Sequence, residues 1–296
     1  MIDRMRQVVL RDRQHLMLDF SECQSVSADA GIMLAAEAER CRQMRTRRDR
    51  STLVGNYPTS ASVEQFLQYI GFFKLLRIVE RRENEADDDS ESFIRVRSGV
   101  RDRSKVIADV AEMAWGGIVQ MDAAARRSLI RGLIEAMNNV TKHAYPPEWQ
   151  SDVPQLHGRW WIAGYWNRKE RRLLAYIYDQ GIGIPATIPI KHRGILSAIQ
   201  SALGLGESDA DMIVAAMKIG TSSSEEAHRG KGMPDLKRLV ERAATGHLRI
   251  LSGAGEYLYT RETGEVVTEH GSSLGGTLIE WEISDQSLIR WSDHDA

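Results

Sequence analysis

Leu133-Ile134-Glu135-Ala136-Met137-Asn138-Asn139-Val140-Thr141-Lys142-His143-Ala144-Tyr145 sets a carboxylate, amides and two basic side chains into an otherwise apolar run. Each residue of an α-helix advances the angle by about 100°, so Glu135, Asn139, Lys142 and His143 share a sector of roughly 100°. Ile130, Leu133, Met137 and Val140 take the opposite side and supply the anchor to a core. A carboxylate can accept a proton from water, an amide oxygen can ligate Mg²⁺ and an amine can neutralise phosphate. A solvated surface helix carries a similar pattern, so this stretch alone leaves both readings open.

Three further stretches share its polar chemistry. Leu173-Leu174-Ala175-Tyr176-Ile177-Tyr178-Asp179-Gln180-Gly181-Ile182-Gly183-Ile184-Pro185 reads as an apolar strand ending in Asp, then alternating glycines. Gly181 and Gly183 let the backbone approach a flat ligand without Cβ clashes, and Asp179 can accept a hydrogen bond from an exocyclic amine. Gly220-Thr221-Ser222-Ser223-Ser224-Glu225-Glu226-Ala227-His228-Arg229-Gly230-Lys231-Gly232-Met233-Pro234 feeds a helix, with Pro234 suited to its first turn. Glycine ahead of a helix start flanked by Arg229 and Lys231 suits an anion such as phosphate; a plain surface loop has the same composition. Gly275-Gly276-Thr277-Leu278-Ile279-Glu280-Trp281 opens a strand with a hydroxyl.

Around these stretches, periodicity predicts helices at 103–114, 122–143, 195–203, 209–217 and 234–244. It predicts strands at 158–166, 173–179, 247–252, 256–260, 266–269 and 277–283. The strands are mostly consecutive, so the fold class is α+β, an antiparallel-rich sheet with helices on one face. Nearer the N-terminus, residues 15–20 and 51–54 read as short strands and residues 28–48 and 62–76 as helices, a small alternating module with a parallel or mixed sheet. Between the two regions, Glu83-Asn84-Glu85-Ala86-Asp87-Asp88-Asp89-Ser90-Glu91-Ser92 repels itself and resists packing. The organisation expected is therefore a module at 1–82, an acidic linker and connection at 83–104, and a larger domain at 105–296.

Composition narrows the function. The 296 residues carry 39 Lys plus Arg against 41 Asp plus Glu, a net charge of −2, so no global basic field points to nucleic acid or an anionic membrane. Arg40, Arg42, Arg45, Arg47, Arg48 and Arg50 cluster at a helix end, where the dipole favours cations; no aromatic residue interleaves them as a nucleic-acid platform requires. Charged residues interrupt every stretch approaching the roughly 20 apolar residues of a membrane span. The first residues show no export signal, and Cys23 and Cys41 show neither CxxC spacing nor a His cluster, so a cytoplasmic protein with reduced thiols is expected.

Taken in order, the four polar stretches resemble the nucleotide-binding domain of the GHKL, or Bergerat-fold, ATPases, over about residues 105 to 283. The resemblance implies a C-terminal Bergerat-fold α/β sandwich that binds ATP with Mg²⁺. By it Glu135 is the general base or polariser of water, Asn139 the Mg²⁺ ligand and Lys142 a phosphate contact, with His143, Ile184 and Thr221 also at the nucleotide. Asp179 binds the adenine amino group, Gly181 and Gly183 shape the adenine wall, Arg229, Gly230, Lys231 and Gly232 form the phosphate lid, and Thr277 lies beside the adenine. The N-terminal module resembles a STAS domain, the fold of anti-anti-sigma factors, on residues 16–21, 26–32, 53–55 and 70–72. Those proteins place a phosphorylatable Ser just before the glycine matched by Gly31; here Ala28, Asp29 and Ala30 occupy that stretch.

The expected function is an Mg·ATP-binding regulatory ATPase or nucleotide switch, in bacterial signalling, coupled to a STAS-like interaction module. The alternative is a Ser/Thr protein kinase of anti-sigma factor type acting on a separate partner. A histidine kinase needs a phosphoacceptor His ahead of the nucleotide domain, and residues 93–134 contain none. A protein partner or a homodimer is expected; membrane insertion and nucleic acid are not.

Overall fold

A computed structural model describes residues 1–45, 52–79, 91–100, 119–167, 169–222 and 232–291. A seven-stranded antiparallel sheet organises the chain, in the order β3-β5-β6-β10-β7-β8-β9. Its strands are β3 (Glu91–Gly99), β5 (Trp160–Asn167), β6 (Arg172–Asp179), β7 (Gly246–Ser252), β8 (Gly255–Thr260), β9 (Gly264–Glu269) and β10 (Thr277–Ile283). β4 (Val119–Met121) and β11 (Ile289–Trp291) form a separate antiparallel pair.

The strands β5 and β6 are buried on both faces, which is why their sequences run apolar with little alternation. On one face Trp160, Ile162, Ile177, Ile279 and Trp281 pack under α5 (Ala123–Asn139), α8 (Asp209–Ser222) and α9 (Arg238–Arg242). Asp122 caps α5 by accepting the N–H groups of Ala124 at 2.8 Å and Ala125 at 3.0 Å. Gly132 of α5 lies over Trp281, where a Cβ would come within 3.1 Å of the ring. On the other face Trp161, Ala163, Tyr176, Tyr178 and Leu278 meet Ile32 and Ala36 of α2 (Ala28–Met44).

The N-terminal segment has its own core as well. α1 (Ile2–Met5) runs into a π turn at Arg6–Arg11, and the short strands β1 (Leu16–Leu18) and β2 (Leu53–Gly55) pair in parallel. α3 (Ala61–Tyr69) and α4 (Phe72–Leu76) are two helices where periodicity suggests one, because Gly71 turns the chain between them at a φ of 79°. The remaining helices are α6 (Ile184–Lys191) and α7 (Arg193–Leu203), beside α8.

Several sequence expectations are corrected here. Helices cover both faces of the sheet, since α2 takes the face opposite α5. Residues 91–99, assigned to the connection, form strand β3 and pair with β5 from Glu91↔Asn167 to Gly99↔Trp160. The helix at 28–48 ends at Met44, and an additional strand, β11, follows residue 283. The expected helix at 103–114 and the acidic residues 83–90 lie outside the described residues.

Candidate functional site

The ends of three adjacent strands set the floor of the site. Thr277, at the start of β10, pairs with Asp179 at the end of β6 on one side and with Ser252 at the end of β7 on the other. Ser252 is wholly buried and ties the corner together: its hydroxyl meets Thr277 Oγ1 at 2.8 Å, donates to Gly276 O at 3.1 Å and accepts the Ile184 N–H at 2.8 Å. Gly183 sits beside it with a φ of 87°, which favours glycine, and a Cβ there would crowd Ser252 Oγ at 3.1 Å.

Above this floor lies a cavity of about 330 Å³, within the range of small-molecule sites. Glu135, Asn139 and His143 reach it from the helix side, Asp179 and Thr277 from the sheet, and Gly183, Ile184, Gly232 and Met233 from the loops. Segments separated by more than a hundred residues thus converge on one concave surface. Ile177, Ile188, Ala216 and Ile279 give it apolar walls.

Asp179 is the most unusual ionisable group there. Its side chain is 5% exposed, and the one hydrogen bond it accepts among the described residues comes from Gly181 N–H at 2.8 Å. Burial raises its pKa to about 7 against the partial compensation of that bond. Glu135 also has a raised pKa, first through burial and then through the charge of Asp235, with Lys142 opposing. Asn139 Nδ2 donates to Met233 Sδ at 3.4 Å, a weak acceptor. His143 is held below its ordinary pKa by burial and by Lys191, Lys142 and His192, so its ring stays neutral near neutral pH.

Two residues of the expected site lie elsewhere. Lys142 is exposed and outside the cavity lining. The physical reason is a π turn at Val140–Ala144, which continues α5 with more residues per turn than the α-helix's 3.6. Each step there rotates by less than about 100°, so His143 turns toward the cavity and Lys142 turns out of the sector that ideal α geometry assigns it. Gly181 does not line this cavity either; a Cβ there would lie 2.3 Å from Ala144 O, so its role is close packing against the end of that turn. Thr221 belongs to the last turn of α8, whereas Arg229, Gly230 and Lys231 lie outside the described residues.

The structure also supplies residues that motif reading missed. Lys191 and His192, at the end of α6, line the cavity beside His143. Nothing in their local sequence marks them; only the packing of α6 against the π turn brings them there. Ser252 likewise carries no signal until strand register places it beside Thr277.

An Mg²⁺ ion fits this donor set only in part from protein groups. No cluster of three or more His, Cys, Asp or Glu suited to a metal occurs among the described residues, whereas Asn139 and Glu135, one helical turn apart, both line the cavity. Mg²⁺ commonly takes one or two protein ligands and completes its shell with water and phosphate oxygens, so the pair suits a nucleotide-borne ion. Among the described residues no helix is long and apolar enough to cross a membrane. No protein-family model matches the chain, and no curated protein matches it.

Proposed function

We propose that the chain binds an adenine nucleotide with Mg²⁺ in the cavity between α5 and the strand ends, and acts as a regulatory ATPase or nucleotide switch of the GHKL type. The observation that carries this reading is the convergence of Glu135, Asn139, Asp179, Gly183 and Thr277, from separate segments, on one cavity of about 330 Å³. A buried carboxylate with a single hydrogen bond is costly to keep, and an exocyclic amine from a purine is the kind of donor that compensates it. Gly183 admits a flat ring close to the backbone, and the apolar walls suit its faces. In this reading Lys191, which lines the cavity, is the amine that faces the phosphates.

In this reading the bound Mg²⁺ supplies charge neutralisation on the phosphates and is held from the protein side by Asn139. Glu135 holds the proton-accepting position, and its raised pKa brings its basicity closer to what proton abstraction near neutral pH needs. The N-terminal module is the output of the switch: α2 lies on the sheet face behind Asp179 and Thr277, and Asp29 at its start accepts Arg249 Nη2 of β7 at 3.1 Å.

Calorimetric titration with ATP and ADP, with and without Mg²⁺, tests the reading. Saturable binding is expected, with Glu135→Ala retaining it while turnover falls by roughly 10² to 10⁴. Absence of binding for both nucleotides under both conditions sinks the proposal.

A further inference from the structure

A second cavity, of about 600 Å³, lies on the far side of the Asp179–Gly183 turn, where the N-terminal segment meets the sheet domain. Arg6, Arg11, Arg40 and Gln180 line it together with two carboxylates, Asp3 and Asp152, the latter accepting Arg11 Nη2 at 3.1 Å. Behind it stands Glu37, fully buried, on which the side chains of Arg6, Arg40, Gln180 and Cys41 converge as donors. Arg40 donates through Nε at 3.0 Å and through Nη2, Arg6 through Nε at 3.1 Å, and Gln180 through Nε2 at 3.3 Å. Two guanidiniums therefore share one carboxylate.

The two arginines differ in what remains. Arg40, only 2% exposed, gives its Nη1 to Gln155 Oε1 at 2.9 Å, so each of its nitrogens is engaged. Arg6 has one further bond, from Nη1 to Asp3 Oδ1 at 3.4 Å, and that carboxylate is 96% exposed, so solvent screens most of the attraction. Its Nη2 meets no acceptor among the described residues. Gly275 opposite has a φ of 71°, and a Cβ there would stand 3.1 Å from Arg6 Nη1, so the glycine keeps the guanidinium's surroundings clear. Gln180, 2% exposed, spends its Nε2 on Glu37 and leaves its Oε1 buried without a partner, an acceptor that suits a donor group of a ligand and not its oxyanion.

We propose that this cavity is a binding site for a small molecule bearing a compact oxyanion, a carboxylate or a phosphate group, with Arg6 as its first ligand and Arg40 fixing the Glu37 network that aims Arg6. A guanidinium fork presents paired donors that match either oxyanion. The cavity volume is that of a small-molecule site rather than of a trapped water. The site is distinct from the nucleotide cavity and does not rest on that reading.

The test follows the arginine Nε–Hε resonances of the full chain during titration with sodium phosphate and, separately, sodium acetate, with ionic strength held constant by sodium chloride. Saturable shifts of the Arg6 and Arg40 signals are expected with at least one anion, and which anion does so identifies the headgroup. Arg6→Gln should weaken that response by roughly tenfold or more. Because Arg6→Gln disturbs a buried network, Asp3→Asn serves as a second variant. It touches only an exposed carboxylate and should tighten binding by roughly two- to fivefold. Arg6 and Arg40 signals unmoved by both anions, or shifts confined to other arginines, overturn the proposal and leave a water-filled seam.

Discussion

Asp179 shows how a buried carboxyl at a candidate site acts against the stability of the protein that holds it. Its carboxyl is raised from 3.8 to about 7 by burial, so between these values the folded state binds the proton more tightly than the unfolded chain. Stability from this group is fully present below the unfolded pKa and is lost as pH rises to about 7, after which the loss is constant. Asp179→Asn is therefore expected to stabilise the ligand-free protein at pH 8, by at most about 4 kcal/mol, with the gain vanishing toward pH 4. Denaturant melts at the two pH values measure it. Under the proposed function the same variant loses a charge-assisted bond to the nucleotide, worth roughly 1.5 to 3 kcal/mol, and loses the decline in affinity that wild type shows below about pH 7. Equal affinity of variant and wild type for ADP at all pH values removes Asp179 from the site. A second pair separates the structural from the motif reading. Lys142→Ala should leave triphosphate affinity within about twofold, while Lys191→Ala should weaken it by roughly two- to fivefold.

Helix α5 is the element that carries most of the site, and its two ends are set by different devices. At the start, Asp122 satisfies two of the otherwise unpaired N–H groups, and Asp122→Ala should lower the midpoint of a urea melt. An unchanged midpoint would mean that tertiary packing alone fixes this end. At the other end the π turn changes the residues' angular spacing, and the choice between Lys142 and His143 as a cavity residue is decided there. The glycines of the following turn divide in the same way. Gly183 is favoured by its left-handed φ, whereas Gly181 is needed because Ala144 leaves no room for a side chain.

For the whole molecule, the two-sided sheet makes the N-terminal module part of one structure. Ile32 is fully buried between α2 and the strands, and Glu39 of α2 accepts Trp161 Nε1 at 2.7 Å and Arg159 Nη1 at 3.0 Å across the same seam. Ile32→Ala should cost about 2 to 5 kcal/mol, as for other buried aliphatic truncations, and should speed amide exchange in α2 and in β5 and β6 together. Faster exchange in α2 alone would show that the helix opens independently of the sheet and would remove it from the proposed switch.

The sequence by itself determined the elements. Apolar periodicity located α2, α5 and the strands β5 to β8 and β10 to within a few residues, because each local pattern reflects the face that its own residues must bury. Residue type and spacing singled out Glu135, Asn139, Asp179 and Gly183 as candidates, and only the resemblance to the GHKL ATPases set Thr277 beside them. Tertiary structure decided the rest. That β3 joins the sheet, that α2 covers its second face, and that Ser252, Lys191 and His192 belong beside these residues depend on contacts between distant segments. Such contacts leave no local period. Arg6, Arg40 and Gln180 meet around Glu37 for the same reason: a buried charge network is defined by which faces come together, and no single segment contains that information.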